Sequence, residues 1–186
     1  LHIYGASSTG KTTLAIVAGS VCGGGGNRGY LRQWRSTHNA LEHTAAMHND
    51  NLLVLDEVGQ ATAEVVSQVA YMLPNGQGRS RMRADASLRD PLTWRLNFLS
   101  TGELTINDKI EESGKQRAMA GQAVRIIDLP IDGGTGENMF ANLHEHADPA
   151  SLSVALADVC SNSYGTALRA FIAKYCEGSE QNQASL

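Results

Sequence analysis

Gly5-Ala6-Ser7-Ser8-Thr9-Gly10-Lys11-Thr12 decides how the rest of this 186-residue chain is read. The stretch fits GxxxxGK[ST] at every fixed position. The two glycines let the backbone curl until its N–H groups converge on a β-phosphate. Lys11 then reaches the β and γ oxygens, and the Thr12 hydroxyl becomes a Mg²⁺ ligand. The bland alternative is a glycine-rich turn. Context argues against it: Leu1–Tyr4 reads as a short buried strand, and Lys11–Cys22 as a helix whose positive end faces the loop. The expected nucleotide cradle is therefore Gly5, Ala6, Ser7, Ser8, Thr9, Gly10, Lys11, Thr12 and Thr13.

Downstream, Leu52-Leu53-Val54-Leu55 is a continuous apolar run, the mark of a strand buried on both faces. It ends in Asp56-Glu57. Beside a phosphate loop, Asp56 is expected to hold Mg²⁺ together with Thr12, and Glu57 to polarise the attacking water. Two adjacent acids favour hydrolysis over transfer to a small molecule, because a kinase need not activate water.

Between and beyond these motifs, strands alternate with helices. Strands are expected at Tyr30–Arg35, Thr93–Ser100 and Ala123–Leu129. Helices are expected at Asn39–Met47, with Asn39 as N-cap, at Thr62–Leu73, stopped by Pro74, and at Thr105–Met119. From 137 onward the pattern is helical only, over Glu137–His146, Ala150–Asn162 and Thr166–Glu177. Alternation of this kind predicts an α/β fold with a parallel sheet and right-handed crossovers. We expect a P-loop NTPase of strand order 5-1-4-3-2, with a small C-terminal helical lid. The expected division is a core over 1–132, a helical appendage over 133–178 and a frayed tail over 179–186.

Further candidates follow from position. Ser100, Thr101 and Glu103 end the strand beside Asp56, where a polar group would approach the γ-phosphate; a turn or helix cap is the plainer reading. Arg117 and Arg125 flank the fifth strand, and ring ATPases often supply such an arginine to a neighbour's nucleotide. Arg169 could reach the nucleotide from the lid. Arg79, Arg81 and Arg83 recur at every second position, on a hairpin arm or an extended loop. On a strand they would share one face and offer contacts to nucleic-acid phosphates; a solvated arginine face is the rival account. His144-Glu145-His146 is too sparse for a metal site, so Mg²⁺ is the one metal expected.

Composition bounds the function. Residues 1–125 hold 13 Lys and Arg against 11 Asp and Glu, whereas residues 126–186 hold 2 against 8. The chain as a whole is not a generic polyanion binder. Cys22, Cys160 and Cys176 form no CxxC pair, which suggests reduced thiols in a cytoplasmic protein. No apolar run approaches the length needed to span a bilayer. Leu1 stands almost at the loop, so the sequence reads as a segment of a longer polypeptide.

Taken together, GASSTGKTT (5–13), YLRQWRSTHNALE (30–42), LLVLDEVGQ (52–60), YMLPNGQGRSR (71–81), WRLNFLSTGE (94–103) and AGQAVRIIDLP (120–130) resemble the family called domain of unknown function 927 (DUF927). Pro74 departs from that pattern, where a small helix former is expected. The resemblance implies a helicase-type ATPase, similar to AAA+ and superfamily 3 proteins of phage, plasmid and bacterial mobile elements. It implies ATP and Mg²⁺ as ligands, DNA as partner and a homo-oligomeric ring. The rival is a nucleotide-switched ATPase that remodels protein assemblies. A small-molecule kinase is disfavoured by Glu57 and by the lack of an acceptor lid.

The complete loop pattern generates a first test. Lys11→Ala removes the loop's only side-chain cation, so it should abolish ATP hydrolysis and weaken nucleotide binding. Steady-state turnover and a nucleotide titration on folded variant check this.

Overall fold

The structure, a computed structural model, describes residues 1–24, 29–82, 85, 87–114, 125–133 and 139–183. Five parallel strands form the main sheet: β1 (His2–Tyr4), β2 (Arg32–Gln33), β3 (Leu52–Asp56), β6 (Asn97–Gly102) and β7 (Asp128–Pro130). Their order is β2-β3-β6-β1-β7. Counted along the main sheet alone, this is the expected 5-1-4-3-2. Two short strands, β4 (Arg81–Met82) and β5 (Leu88–Arg89), pair antiparallel as a separate hairpin arm.

Helices cover both faces. On one face α1 (Lys11–Ser20) packs with Ile3, Leu31, Val54 and Leu99 through Ala15. On the other, α2 (His38–Met47), α3 (Ala63–Asn75) and α4 (Ile106–Glu111) close over Trp34, Leu53, Leu55 and Val58. Leu53 and Leu55 therefore face one layer and Val54 the other, and all three are fully buried. That is the physical basis of the continuous apolar run, each side chain being worth about 1.5–3 kcal/mol of burial. Two further helices, α5 (Pro149–Asn162) and α6 (Thr166–Gln183), follow at the C-terminal end, with α5 against α1.

Several boundaries differ from the sequence expectation. Thr37, not Asn39, caps α2, accepting from Ala40 N at 3.3 Å. Helix α3 runs through Pro74 and stops at Gly76, whose φ of 68° suits glycine. Because Pro74 is one residue from the helix end, the N–H it lacks and the crowding of its ring against the Ala70 carbonyl disturb only the last turn. Strand β6 begins at Asn97 rather than Thr93, because Trp94 turns inward and donates from Nε1 to Leu73 O at 3.0 Å. Strand β7 starts at Asp128, later than expected. Residues 139–146 are not helical. Asp148 and Ser151 instead form a capping box that starts α5 with Pro149 in its first turn. Helix α6 continues to Gln183, beyond the expected end at Glu177. Residues 115–119 and 123–124, expected in a helix and a strand, lie outside the described residues.

A buried relay ties β1, β2 and β6 together. Trp34 Nε1 donates to Ser100 Oγ at 2.8 Å. Ser100 Oγ lies 2.8 Å from His2 Nδ1, and His2 Nε2 lies 2.9 Å from Leu104 O. A carbonyl only accepts, so Nε2 carries the proton and the neutral ring accepts from Ser100 at Nδ1. Burial, opposed by the bond to Leu104, holds the His2 pKa below its ordinary value, in keeping with a neutral ring. Ser100→Ala would strand both the Trp34 and the His2 nitrogen. The expected loss is about 2 kcal/mol or more, read as a lower urea midpoint at unchanged m-value.

Candidate nucleotide site

The loop leaves β1 at its carboxyl end, where α/β folds of this kind place their ligands. Gly5 is required by crowding: a Cβ there would lie 2.6 Å from Ile131 Cγ2. Gly10 is required by conformation, at φ 98°. Immediately after Gly10 the first helical bond of α1 forms, Leu14 N to Gly10 O at 2.9 Å. Lys11 is buried over the loop, its Nζ donating to Gly5 O at 2.8 Å and Ala6 O at 2.5 Å. Thr9 Oγ1 donates to Ala6 O at 2.8 Å, closing the turn. Ser7 to Thr13 line one open cavity together with Glu57, Glu103, Ala150, Ser153 and Val154.

Three sequence-distant elements meet at one carboxylate. Asp56 Oδ1 accepts from Thr12 Oγ1 at 3.2 Å and from Thr101 Oγ1 at 2.7 Å. Thr101 Oγ1 in turn accepts from Glu57 N at 3.0 Å. Thr12, Asp56, Glu57 and Thr101 are thus brought together as the sequence anticipates. Ser100 is not: successive strand side chains face opposite sides of the sheet, and Ser100 serves the buried relay. Glu57 adopts φ 62°, ψ 79°, a left-handed conformation uncommon outside glycine. Its side chain accepts from Gly59 N at 3.2 Å, capping the 3-10 turn Val58–Gln60.

The donor set fits magnesium. A hydroxyl and a carboxylate within hydrogen-bonding distance are hard oxygen ligands, of the number Mg²⁺ takes from protein when phosphate oxygens complete its shell. Among the described residues, no group of three or more His, Cys, Asp and Glu side chains could hold a metal.

Two contributors were not legible in the sequence. Met139 N donates to Thr9 O at 3.3 Å, and a Cβ on Gly10 would meet Met139 and Phe140 side chains within 3.4 Å. Helix α5 supplies Ala150, Ser153 and Val154 to the cavity wall. Neither segment carries a residue type that signals a nucleotide.

The arginines separate. Arg125 stands with its guanidinium 5.4 Å from the Tyr71 ring centroid. It lines a second cavity with Leu1, Leu52 and Asn97, at the amino ends of the strands and away from the loop. Arg169 Nε donates to Gly165 O at 3.1 Å, and Arg169 is absent from the loop cavity's lining. Arg81 pairs with Glu42 at 2.6 Å and donates to Asn39 Oδ1 at 2.8 Å. Glu42 is 1 % exposed, so this guanidinium, itself 37% exposed, neutralises a buried acid. That corrects the expectation of three equivalent arginines. Arg79 is exposed, whereas Arg83 and Arg117 lie outside the described residues.

The fold and the loop define a P-loop NTPase-like α/β protein. Residues 1–92 match the family described as "Domain of unknown function (DUF927)", which bears out the resemblance over the loop, the Asp56–Glu57 strand and the arm. A solved structure titled "SCCmec type IV Cch - active helicase" is similar over 97% of this chain, with 27% identity and a TM-score of 0.68. This chain spans 29% of that one. No curated protein matches. Among the described residues, no helix is long and apolar enough to cross a membrane.

The Arg81–Glu42 pair yields a test that separates structure from binding. Arg81→Ala should cost about 3 kcal/mol of stability, since it strands a buried carboxylate. Arg79→Ala should cost under ~0.5 kcal/mol. Urea denaturation of the two variants reads the difference.

Proposed function

We propose that this chain is the ATP-binding and ATP-hydrolysing domain of a helicase-like protein that acts on DNA in mobile-element or phage replication. The observation that carries the reading is the Thr12–Asp56–Thr101–Glu57 network set against the loop cavity. The loop N–H groups and Lys11 bind the β- and γ-phosphates. Thr12 and Asp56 hold Mg²⁺, which when bound neutralises charge on the phosphate oxygens. Thr101 orients Asp56 through its hydroxyl and Glu57 through its backbone. Glu57 orients and deprotonates the attacking water.

Activity on DNA rests on likeness to a helicase and on the DUF927 resemblance. The exposed Arg79 and, by sequence spacing, Arg83 remain the arm's candidates for phosphate contact. Arg117 or Arg125 would serve a neighbouring subunit's nucleotide in a homo-oligomeric ring. One observation favours the second reading, a nucleotide-switched ATPase that remodels proteins. On the arm, Met82 pairs with Leu88, so both side chains share one face, and they are 68% and 72% exposed. An apolar face of this kind suits a protein partner.

Glu57→Gln should leave ATP affinity intact and lower turnover by about 10²–10⁴-fold. Asp56→Asn should make nucleotide binding less sensitive to Mg²⁺. Single-stranded DNA should stimulate wild-type hydrolysis, with binding that weakens steeply as salt rises. Absence of both DNA effects would leave the protein-remodelling reading. Loss of affinity rather than rate in Glu57→Gln would reverse the assigned roles.

A further inference from the structure

Lys109, on α4, is an ammonium with 6% exposure in the interior of the domain. Burying such a charge is costly unless it is paired and hydrogen-bonded. Its Nζ sits 2.5 Å from Glu112 Oε2 and donates to Gly59 O at 3.3 Å. Glu112 is exposed on the helix surface, so the pairing balances the charge without explaining where it points. The other partner does. Gly59 lies in the 3-10 turn that begins immediately after Glu57.

The bonds around that turn form a chain. Gly59 O and Gln60 N belong to one peptide unit. Its oxygen accepts from Lys109, and its N–H donates to Glu57 O at 3.1 Å. A cation on the oxygen polarises the unit and strengthens the bond its N–H makes. The next peptide back, through Gly59 N, holds the Glu57 carboxylate at 3.2 Å. Glu57 is in a left-handed conformation that is costly for a non-glycine residue and persists only where surroundings impose it. Thr101 holds its N–H, and Val58 is wedged so tightly that a Cβ on Gly102 would lie 2.4 Å from Val58 Cγ1. Lys109 adds a further restraint, from α4.

We propose that Lys109 is a positioning residue for Glu57: it clamps the Val58–Gln60 turn from α4 and so fixes the carboxylate beside the nucleotide cavity. The inference rests on the reading of Glu57 as the group that activates water. It also makes α4 the element through which a displacement reaches that carboxylate.

The test is steady-state ATP hydrolysis by the full-length protein and four variants: Lys109→Met, Lys109→Gln, Glu57→Gln and the double variant Lys109→Met with Glu57→Gln. Lys109→Met keeps the side chain's length and loses the donor. It should lower kcat about 10-fold while nucleotide affinity stays within about 2-fold, the signature of an interaction used in turnover rather than binding. Lys109→Gln retains an N–H donor and should lose less, about 3-fold. In the double variant the Lys109 change should add nothing to the loss from Glu57→Gln, since both act through one carboxylate. A purely structural lysine would lower the unfolding midpoint and leave kcat of the folded protein alone. Unchanged kcat in Lys109→Met, or fully additive losses in the double variant, would overturn the inference while leaving Glu57 in its role. If Glu57→Gln itself keeps wild-type turnover, the reading of the site falls, and the Lys109 inference falls with it. Should Lys109→Met fail to fold, Lys109→Gln decides: wild-type kcat there overturns the inference, and reduced kcat at unchanged affinity supports it.

Discussion

Asp56 accepts two hydroxyl hydrogens on a single oxygen, from Thr12 at the start of α1 and from Thr101 at the end of β6. Three elements that are far apart in sequence are thereby locked at one carboxylate. The sheet makes this meeting possible: β6 lies between β1 and β3, so its carboxyl end falls between the loop and Asp56. Parallel pairing aligns all three carboxyl ends in register, with Leu55 opposite Ser100 and Ile3 opposite Thr101. A ligand that fits the loop is then automatically near the acids.

The same end of the sheet carries part of the positive-φ backbone. Gly10 and Ser8 in the loop, and Glu57 after β3, all have positive φ. Strain of this kind needs a rigid frame. The frame here is the doubly covered β3 strand, with Leu53, Val54 and Leu55 fully buried. Beneath it, the Trp34–Ser100–His2 relay leaves none of its side-chain nitrogens without a partner. The site is thus set on a firmly packed part of the domain. Helix α5 lies beside it, presenting Val154 at 70% exposure to the cavity.

Charge is disposed by the same logic of satisfaction. Arg81 neutralises Glu42, which is fully buried beneath it. Arg95 pairs with Asp50 at the surface at 2.6 Å, and the buried Lys109 is balanced by Glu112. Surface pairs contribute little, but a buried acid without its partner would be expensive. The arm's arginine pattern is therefore partly structural. On its two faces the hairpin carries Arg81 opposite Arg89 and Met82 opposite Leu88.

Much of this was legible from local pattern. The loop, the apolar β3 run with its two acids, and the alternation of strands and helices each depend on residues close in sequence. These give the class of fold, and the expected strand order comes with that class rather than from local pattern. Thr12, Asp56, Glu57 and Thr101 could be named because strand ends in a parallel sheet have predictable places. The rest depended on neighbours distant in sequence. Whether Ser100 or Thr101 faces the site is a question of which side of the sheet Trp34 and His2 occupy. The role of Arg81 turns on Glu42 lying 39 positions away, and that of Lys109 on Gly59 lying 50 away. Met139 and Phe140 stand against the loop in a stretch, 139–146, that does not form the expected helix. Sequence period determines which face of an element a side chain takes; only the packed structure decides what stands opposite it, because that partner comes from another part of the chain.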